Sequence, residues 1–485
     1  MNAAFADSDF PKSAVVMGLG TFGGGVAVTR YLAERGVRVT VTDLRSETEL
    51  ADVLAELDGV PLQAVHLGGH PEDLFDQAEM LVVNPAVRPD DIRVAGCRAR
   101  GVIVTSEMEL FLQCNPATVV AVTGSNGKST TTALIHRLLE QQISLPRRVW
   151  LGGNIGRSLL PVAADINEDD IVVLELSSFQ LHALRQTAFA PHVAVITNFS
   201  PNHLDWHGSV DHYRASKQVI LNRQHRTDIA VVAADDENPD GSSSAAGHQW
   251  RIRGRALRFG LSDQEEDGAF LESGLLVLRM GGREDAVRLE LPRQLPGDHN
   301  RQNVAAAVAA AWCCGADPAG FQEAVSGYQP LPHRLQLVAD GRGIRCYTDS
   351  LATTPESAIA ALKALPQNCV ILAGGYDKGA DLQPFACAIV RYARAAVLMG
   401  QTAGQLAEHL KTAAAGSDFP VRIAEDFDGA VARAVALAPP GGIVLLSPGC
   451  ASYGWFRDFR ERGNRFTELV QQWIQSSPTS PNRDT

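Results

Sequence analysis

The sequence lacks the features typical of secreted, membrane-spanning and nucleic-acid-binding proteins. Its eight cysteines are scattered and include no Cys-x-x-Cys pair, so neither a disulfide framework nor a zinc site is expected. No apolar run reaches the roughly 18–20 residues of a membrane span, and the N-terminus shows no basic segment followed by an apolar one. Basic residues are fewer than acidic ones, 43 against 55, which argues against sequence-independent binding of nucleic acid. We therefore expect a cytoplasmic protein that binds neither membranes nor nucleic acid.

What is present is the pattern of a folded protein with several domains. The 485 residues exceed the roughly 250–300 that one hydrophobic core supports, and 45% of them are hydrophobic. Strand-like runs alternate with helix-length segments, which predicts an α/β fold with parallel sheets. The clearest strand candidates are residues 14–17, 38–42, 80–83, 102–105, 117–122, 171–176, 193–197, 229–233, 369–373, 396–399, 421–423 and 442–446.

Two breaks in this pattern predict domain boundaries. One is at Asn115–Pro116, and the other is the proline-containing segment Tyr328–Pro332. The end of the chain is rich in serine and proline and is expected to be disordered. We therefore predict three domains and a tail, at residues 1–115, 116–330, 331–475 and 476–485.

The first domain carries a glycine turn, Gly18-Leu-Gly20-Thr-Phe-Gly23, between a predicted strand and a predicted helix. Asp43 closes the next strand, as in the dinucleotide-binding pattern of Rossmann-like domains. The glycines would let the backbone approach a pyrophosphate, and Asp43 would accept hydrogen bonds from hydroxyls. The pattern suits any nucleotide diphosphate. A nicotinamide-dependent dehydrogenase and a tight turn without a ligand both remain open.

The second domain carries another glycine turn, Thr123-Gly-Ser-Asn-Gly127-Lys128-Ser129-Thr130, again between a strand and a helix. It differs from the phosphate-loop pattern Gly-x-x-x-x-Gly-Lys-Ser/Thr because Val122 stands at the first glycine. The physical requirements are nevertheless met. Small residues can cradle phosphates, Lys128 brings a positive charge, and the Ser129 hydroxyl can bind Mg²⁺. We predict an ATP site in a central domain of the P-loop ATPase type, with a binding-inert turn as the alternative.

Two nucleotide-type sites in one chain limit the possible functions. A dehydrogenase does not need the second site, and a simple ATPase does not need the first. A protein that binds one nucleotide-linked substrate and activates it with ATP uses both. A nucleotide-binding scaffold without catalytic activity is the remaining alternative.

Several further motifs occur in a fixed order along the chain. They are Gly152-Gly-Asn154-Ile-Gly156, Leu174-Glu175-Leu-Ser-Ser-Phe-Gln180, Asn198-Phe-Ser-Pro-Asn-His203-Leu-Asp205, Tyr213-x-x-x-Lys217, Gly297-Asp-His-Asn300-x-x-Asn303, His333-Arg334 and Ser447-Pro-Gly-Cys-Ala-Ser452. Together with the phosphate loop they resemble the ATP-dependent Mur ligases of peptidoglycan precursor synthesis, from about residue 14 to residue 470. The C-terminal motif is most similar to the glutamate-adding branch. Folylpolyglutamate synthase also joins glutamate with a similar ATP loop, but it lacks the UDP-type first domain.

The resemblance implies a three-domain fold with a Rossmann-like first and third domain, and it implies a reaction. ATP would phosphorylate the carboxylate of UDP-N-acetylmuramoyl-L-alanine, and the amine of D-glutamate would attack the acyl phosphate. Two Mg²⁺ ions would assist. The protein would be a monomer, and the reaction would belong to cell wall biogenesis, on which cell shape and division depend.

The resemblance also implies roles for particular residues. The expected catalytic residues are Lys128, Glu175, His203 and Lys217; Ser129, Glu175, His203 and a carbamate formed on Lys217 with CO₂ would bind metal. The expected ATP contacts are Thr123, Gly124, Ser125, Asn126, Gly127, Lys128, Ser129, Thr130, Asn300, Asn303, Arg334 and Asp349. The expected contacts of the UDP substrate are Gly20, Thr21, Phe22, Asp43, Arg45, Asn84 and Asn154. A helix N-cap for Asn300 and an unmodified, phosphate-contacting Lys217 are the alternatives.

The third domain would bind glutamate, whose two carboxylates require cations and backbone donors. The expected contacts are Thr353, Lys378, Ser452, Tyr453 and Phe459. One motif departs from the family, because Leu351 stands where the glutamate-adding branch usually carries lysine. Losing a cation beside an anion pocket can change which enantiomer binds. A variant that adds L-glutamate is therefore the alternative.

Overall fold

The computed structural model describes residues 10–20, 23–143, 146–234, 250–263, 265–292, 295–329, 332–377, 380–416 and 418–476. The predicted site residues Thr21, Phe22 and Lys378 lie outside these ranges, as do residues 477–485 of the predicted tail. The chain divides into two compact units. One unit is residues 1–290 with 302–325, and the other is residues 291–301 with 326–485.

The first sheet has five strands, all parallel, in the order β3-β2-β1-β4-β5. The chain leaves β1 towards β2 on one side and returns to β4 on the other. This reversal opens a crevice at the carboxyl ends of β1 and β4, where α/β sheets bind ligands. The strands are β1 (Ser13–Met17), β2 (Arg38–Asp43), β3 (Leu62–Leu67), β4 (Met80–Val83) and β5 (Ile103–Thr105), and the helices are α1 (Gly24–Glu34), α2 (Glu47–Ala55), α3 (Asp73–Asp76), α4 (Ile92–Ala99) and α5 (Glu107–Cys114).

The second sheet has nine strands in the order β14-β13-β12-β11-β10-β9-β6-β8-β7. All neighbouring pairs from β12 across to β7 are parallel. On the other side of β12, β13 and β14 add an antiparallel meander. The strands are β6 (Thr118–Thr123), β7 (Val149–Gly153), β8 (Ile171–Glu175), β9 (Val193–Ile196), β10 (Ile229–Ala233), β11 (Arg255–Gly260), β12 (Gly268–Glu272), β13 (Leu275–Met280) and β14 (Arg283–Arg288). The helices are α6 (Lys128–Glu140), α7 (Ser178–Ala183), α8 (Leu204–His207), α9 (Val210–Asn222), α10 (Asp298–Cys313) and α11 (Phe321–Ser326).

The third sheet has six strands in the order β15-β16-β20-β17-β18-β19, parallel except for the pair β15–β16. Its connection reverses between β20 and β17, which creates a second crevice of the same kind. The strands are β15 (Gln336–Gly341), β16 (Ile344–Thr348), β17 (Cys369–Ala373), β18 (Ala395–Leu398), β19 (Val421–Ile423) and β20 (Ile443–Leu446). The helices are α12 (Pro355–Ala364), α13 (Gln383–Tyr392), α14 (Ala403–Ala414), α15 (Phe427–Leu437) and α16 (Phe459–Gln475).

Continuous apolar strands form the cores, as the sequence predicted for parallel sheets. Every residue of β8, β9 and β17 is buried, because helices cover both faces of these sheets. Residues 304–311 of the alanine-rich α10 are fully buried, since alanine lets a helix approach its neighbours closely. No helix in the described part of the chain has the length and apolar character needed to cross a membrane.

Candidate active site

The phosphate loop connects β6 to α6 in the first compact unit. Gly124 and Gly127 have positive φ values of 149° and 78°, and Gly127 is the N-cap of the 13-residue helix α6. The Lys128 amine donates to the carbonyls of Gly124 at 3.1 Å and Ser125 at 2.9 Å. The loop therefore combines a helix N-terminus with a lysine folded over it, an arrangement suited to phosphate.

Residues that follow β9 hold the loop in place. The Asn198 side chain accepts from the Asn126 N–H at 2.9 Å and donates to the Asn126 carbonyl at 3.0 Å, and the Thr197 hydroxyl donates to that carbonyl at 2.6 Å. Ser125 Oγ lies 3.0 Å from the Tyr213 hydroxyl. Sequence reasoning assigned no role to Asn198, Thr197 or Tyr213, although Asn198 and Tyr213 belong to motifs that it used.

Asn303, one of the expected ATP contacts, lies against the loop. Its Oδ1 is 3.4 Å from Thr131 Oγ1, and a Cβ on Gly127 would come within 2.1 Å of that oxygen. Asn300 belongs to the other compact unit. It is the third residue of α10 rather than its N-cap, and its Nδ2 donates to the Pro296 carbonyl at 2.8 Å.

Lys217 brings a second amino group to the loop. It is 1% exposed, and its Nζ donates to the Gly124 carbonyl at 2.7 Å, the same carbonyl that Lys128 contacts. Its Nζ also lies 4.6 Å from the centre of the Tyr213 ring. Burial, and then the charge of Lys128, lower the pKa of Lys217 well below its usual value, although Glu175 opposes the shift. A buried lysine of this kind favours its neutral form.

Glu175 ends β8 and faces the same region. It is 1% exposed, and its Oε1 accepts from Asn154 Nδ2 at 2.8 Å. Its Oε2 is buried and has no hydrogen-bond partner among the described residues. A buried carboxylate oxygen left in this way fits a Mg²⁺ ligand, because Mg²⁺ prefers oxygen donors.

The other predicted metal ligands are mixed in type. Ser129 is 3% exposed at the start of α6, and the His203 ring lies 4.9 Å from that of Phe179, edge to face. His203 adopts a left-handed conformation, with φ 54°, as the N-cap of α8. Across the described residues, no three His, Cys, Asp or Glu side chains form a metal-binding group. A divalent cation here would therefore depend on hydroxyl, phosphate and water oxygens as well.

The crevice of the first sheet holds the predicted UDP-site residues. Asp43 accepts from the Leu19 N–H at 2.9 Å, from Arg45 Nη2 at 2.9 Å and from Arg45 Nε at 3.1 Å. Burial by itself would raise the pKa of Asp43, but these hydrogen bonds outweigh it and the pKa is lowered. Asn84 follows β4, and its Nδ2 donates to the Gly18 carbonyl at 3.2 Å and would lie 2.8 Å from a Cβ on Gly20. Asp43 therefore shapes the glycine turn and orients Arg45.

A cavity of about 560 Å³ opens from this crevice within the first compact unit. Asp43, Arg45 and Asn84 line it, and so do Asn154 and Gln180. Glu107 also lines the cavity, and sequence reasoning missed it. Its carboxylate accepts from the Ser158 hydroxyl, and burial raises the pKa of Glu107. No sequence signal marks Glu107, because only folding brings α5 to this cavity.

In the second unit, Asp349 holds the segment that contains Arg334. Its Oδ1 accepts from the Leu335 N–H at 3.0 Å, and its Oδ2 accepts from the Ser447 hydroxyl at 2.8 Å. Burial raises the pKa of Asp349 to about 7. His333 and Leu335, on either side of Arg334, have φ values of 62° and 42°. Arg334 Nε is buried and finds no hydrogen-bond partner among the described residues.

The crevice of the third sheet contains a cavity of about 320 Å³. Ser452, Tyr453 and Arg462 line it, together with glycines after β17 and β18. The Tyr453 and Tyr376 rings meet edge to face at 5.8 Å. Thr353 and Phe459 do not line this cavity, but their segments lie beside it: Gly449 donates to the carbonyl of Ala352, and the Ser350 hydroxyl donates to that of Phe459.

Fold and site together define a class of protein. Three α/β sheets, a phosphate loop with two lysines and a buried glutamate, and a cavity at a Rossmann-like crevice are the parts of a nucleotide-dependent group-transfer enzyme. Comparison with known proteins identifies the family. The chain matches the Mur ligase MurD-like N-terminal domain over residues 12–106, the Mur ligase middle domain over residues 122–311 and the Mur ligase glutamate ligase domain over residues 333–450.

Similar proteins match over nearly their full length. UDP-N-acetylmuramoylalanine--D-glutamate ligase of Symbiobacterium thermophilum is 38% identical, covering 95% of this chain and 98% of that protein. The ligase of the same name from Roseiflexus sp. (strain RS-1) is 38% identical, covering 95% and 99%. Among solved structures, UDP-N-acetylmuramate-alanine ligase MurC of Thermotoga maritima shares the fold with a TM-score of 0.59 at 21% identity, covering 95% and 99%. The chain belongs to the Mur ligase family and has its three-domain fold.

Proposed function

We propose that this protein joins D-glutamate to UDP-N-acetylmuramoyl-L-alanine at the expense of ATP, releasing ADP and phosphate. One observation carries the proposal. Asn154 lines the 560 Å³ cavity and donates a hydrogen bond to Glu175. Glu175 in turn interacts electrostatically with Lys217, which lies beside the phosphate loop. A nucleotide-linked substrate and ATP would therefore meet at Glu175. The names of the relatives supply the identities of the substrates.

The chemistry requires activation, because a carboxylate is a poor electrophile. An oxygen of the alanyl carboxylate would attack the γ-phosphorus of ATP, and ADP would leave. The amine nitrogen of glutamate would then attack the acyl carbon of the resulting acyl phosphate. Loss of phosphate and of the amine proton gives the amide. Both steps bring anions together, so positioning and neutralisation of charge are the main tasks of the protein.

We assign these tasks to particular residues of the chain. The backbone amides at the start of α6 and the Lys128 amine would bind the β- and γ-phosphates. Arg45, held by Asp43, would neutralise the diphosphate of the UDP substrate, with Thr21 and Phe22 as proposed further contacts. Ser129, Glu175 and His203 would hold Mg²⁺, which when bound supplies positive charge to the reacting phosphate oxygens. Asn303 would position the loop, and Asn300, Arg334 and Asp349 are proposed contacts of the nucleoside.

We further propose that Lys217 is carbamylated. The neutral amine nitrogen would attack CO₂ and lose a proton, which replaces a cation with an anionic oxygen ligand. Deep burial supports this proposal, because it favours the neutral amine that the attack requires. Lys217→Ala is expected to be inactive and to regain activity with short carboxylates. Absence of any label on Lys217 after incubation of the wild-type protein with isotopically labelled bicarbonate would contradict the carbamate.

The proposed glutamate contacts are Thr353, Lys378, Ser452, Tyr453 and Phe459. Leu351 leaves the L-glutamate variant as the second candidate, because it removes a cation that the glutamate-adding branch usually carries. The Leu351 N–H donates to the His333 carbonyl at 3.0 Å, so this position borders the Arg334 segment. We also propose that the protein acts as a monomer in the cytoplasm.

The decisive assay is ATP-dependent phosphate release with UDP-N-acetylmuramoyl-L-alanine and each enantiomer of glutamate in turn. We expect release with D-glutamate. Phosphate release with L-glutamate alone would favour the variant ligase. No phosphate release with either enantiomer would refute the proposed ligase activity.

A further inference from the structure

Arg462 is a buried cation with an unusual set of partners. It lies in the first turns of α16 and is 2% exposed. Its guanidinium donates to Ser350 Oγ at 3.0 Å, to the Ser350 carbonyl at 2.9 Å and to the Cys450 carbonyl at 3.2 Å. All three partners are neutral oxygens.

The carboxylates nearest in sequence are engaged elsewhere. Asp458 caps the helix by accepting from the N–H groups of Arg460 at 2.8 Å and Glu461 at 2.9 Å. Glu461 pairs with Arg457, with Nε and Oε2 3.5 Å apart. Within the described residues, no carboxylate forms an ion pair with Arg462. Burial accordingly lowers the pKa of Arg462 to about 10.

Such a placement is costly for stability alone. A buried charge without an opposite charge loses hydration that neutral carbonyls restore only in part. A cation near a helix N-terminus also meets the positive end of the helix dipole. A structural brace could be built from neutral side chains, so the charge at this position requires another explanation.

The position of Arg462 supplies one. It lines the 320 Å³ cavity with Ser452 and Tyr453, and it is the one charged residue among the described residues that line this cavity. Its partner Ser350 lies three residues before Thr353 and donates to the Phe459 carbonyl at 2.8 Å. Its partner Cys450 lies two residues before Ser452. One guanidinium thus joins the three segments that carry Thr353, Ser452 and Phe459.

We propose that Arg462 is a positioning residue for the amino-acid half of the reaction: it fixes the segments that hold glutamate and adds positive charge to their cavity. This inference rests on the proposed function. The uncompensated charge of Arg462 would be balanced when the carboxylates of glutamate enter. Binding of UDP-N-acetylmuramoyl-L-alanine and ATP, and formation of the acyl phosphate, would not depend on it.

The two halves of the reaction can be measured separately. Hydroxylamine can replace glutamate, because its nitrogen attacks the acyl carbon and displaces phosphate to give a hydroxamate. Hydroxamate formation therefore reports the first half without glutamate, and glutamate addition reports both. The test compares Arg462→Met, Arg462→Lys and Ser350→Ala. Arg465→Met is the matched control, because Arg465 is on the same helix, is 39% exposed and pairs with Asp428.

We expect Arg462→Met to raise the KM for glutamate at least about tenfold, as loss of charged hydrogen bonds does, with hydroxamate formation unchanged. Arg462→Lys keeps the charge but loses the planar guanidinium with its several donors. Ser350→Ala loses one of the three hydrogen bonds of Arg462 and the bond to the Phe459 carbonyl, but keeps the charge. Both should therefore raise this KM less than Arg462→Met does. Arg465→Met should leave it unchanged. Loss of hydroxamate formation in proportion to glutamate addition, or an unchanged KM for glutamate, would overturn the inference.

If Arg462→Met does not fold, the lysine and Ser350 variants decide by the same criteria. Failure of the wild-type protein to form either product would instead refute the proposed function. The two failures are therefore distinguishable.

Discussion

Two lysines donate to the same backbone carbonyl at the phosphate loop, but they differ in how deeply they are buried. Lys128 is partly exposed on the loop, whereas Lys217 is buried below it. Two ammonium groups that contact one carbonyl oxygen repel each other. Burial removes this repulsion because it favours the neutral form of Lys217. Lys128 is thus the residue suited to phosphate charge, and Lys217 is the residue suited to modification.

Replacement of Lys128 tests this division. Lys128→Ala should lower kcat for phosphate release by about 10²–10³-fold, the usual effect of removing one group that stabilises developing charge. Lys363→Ala, at an exposed position of α12, is the control and should keep full activity. Steady-state kinetics with saturating substrates measure both variants. Near-normal kcat in Lys128→Ala would refute the assignment of the loop.

Asp349 predicts a pH dependence of stability. Its pKa rises from 3.8 to about 7 on folding, so the native protein holds a proton that the unfolded chain releases over this range. The free energy of unfolding therefore falls as the pH rises through this window. Asp349→Asn stays neutral and should lose this contribution.

Urea unfolding of wild type and Asp349→Asn over this pH range measures the effect. The stability of the wild type relative to the variant should decline as the pH rises. Taking this difference cancels titrations that the two proteins share, including that of His333, whose pKa burial lowers. If the free energies of unfolding of the two proteins changed in parallel with pH, a raised pKa of Asp349 would be contradicted.

At the scale of elements, the turn between β6 and α6 depends on the absence of a side chain at Gly127. The position has φ 78°, and a Cβ would meet Asn303 Oδ1 at 2.1 Å. Gly36 has nearly the same φ, 77°, but a Cβ there would meet no atom within 4 Å. The two glycines therefore separate backbone strain from collision with Asn303.

Gly127→Ala should raise the KM for ATP at least about tenfold, since a displaced loop loses phosphate hydrogen bonds. Gly36→Ala should cost about 1–2 kcal/mol of stability, from left-handed strain alone, and leave the KM for ATP unchanged. Adding Asn303→Ala to Gly127→Ala should recover part of the loss. Equal KM values in the two single variants would contradict the collision.

Strands without a continuous apolar run are among those that the sequence pattern did not predict. The buried strands β8, β9 and β17 were predicted because their sequences are continuously apolar. The strands not predicted include β3 and β7, which lie at the edges of their sheets and are only partly buried, and β16, which is interior but contains Arg345 and Thr348. A strand that packs on one side lacks the continuous apolar run that a central strand usually has.

At the scale of the whole molecule, the cavity of the first compact unit distinguishes the ligase from the dehydrogenase. A dehydrogenase uses the acidic residue after its second strand to bind ribose hydroxyls. Here the oxygens of Asp43 already accept from Leu19 and Arg45. We expect UDP to bind and NADH to show no binding up to about 1 mM by isothermal titration calorimetry. Tight binding of NADH would contradict the ligase.

The sequence by itself determined what depends on neighbouring residues. A strand, a glycine turn and a helix are continuous in the chain, so the phosphate loop from Thr123 to Thr130 and the turn at Gly18–Gly20 were predicted with their neighbouring elements. The ordered motifs also indicated the family, which the comparisons confirmed. The roles of the predicted site residues stay predictions, as do the exact domain boundaries.

Only the tertiary structure decided what depends on residues far apart in the chain. Folding brings Lys217 and Asn303 to the same loop and places Glu107 at the 560 Å³ cavity of the first compact unit. It also gives the Asp43 carboxylate its hydrogen bonds and buries Arg462 without a carboxylate partner among the described residues. Hydrogen bonding and burial are set by neighbours in space, and they decide the charge state of each group. The sequence therefore named the chemical groups, and the fold decided which of them are charged, bonded or buried.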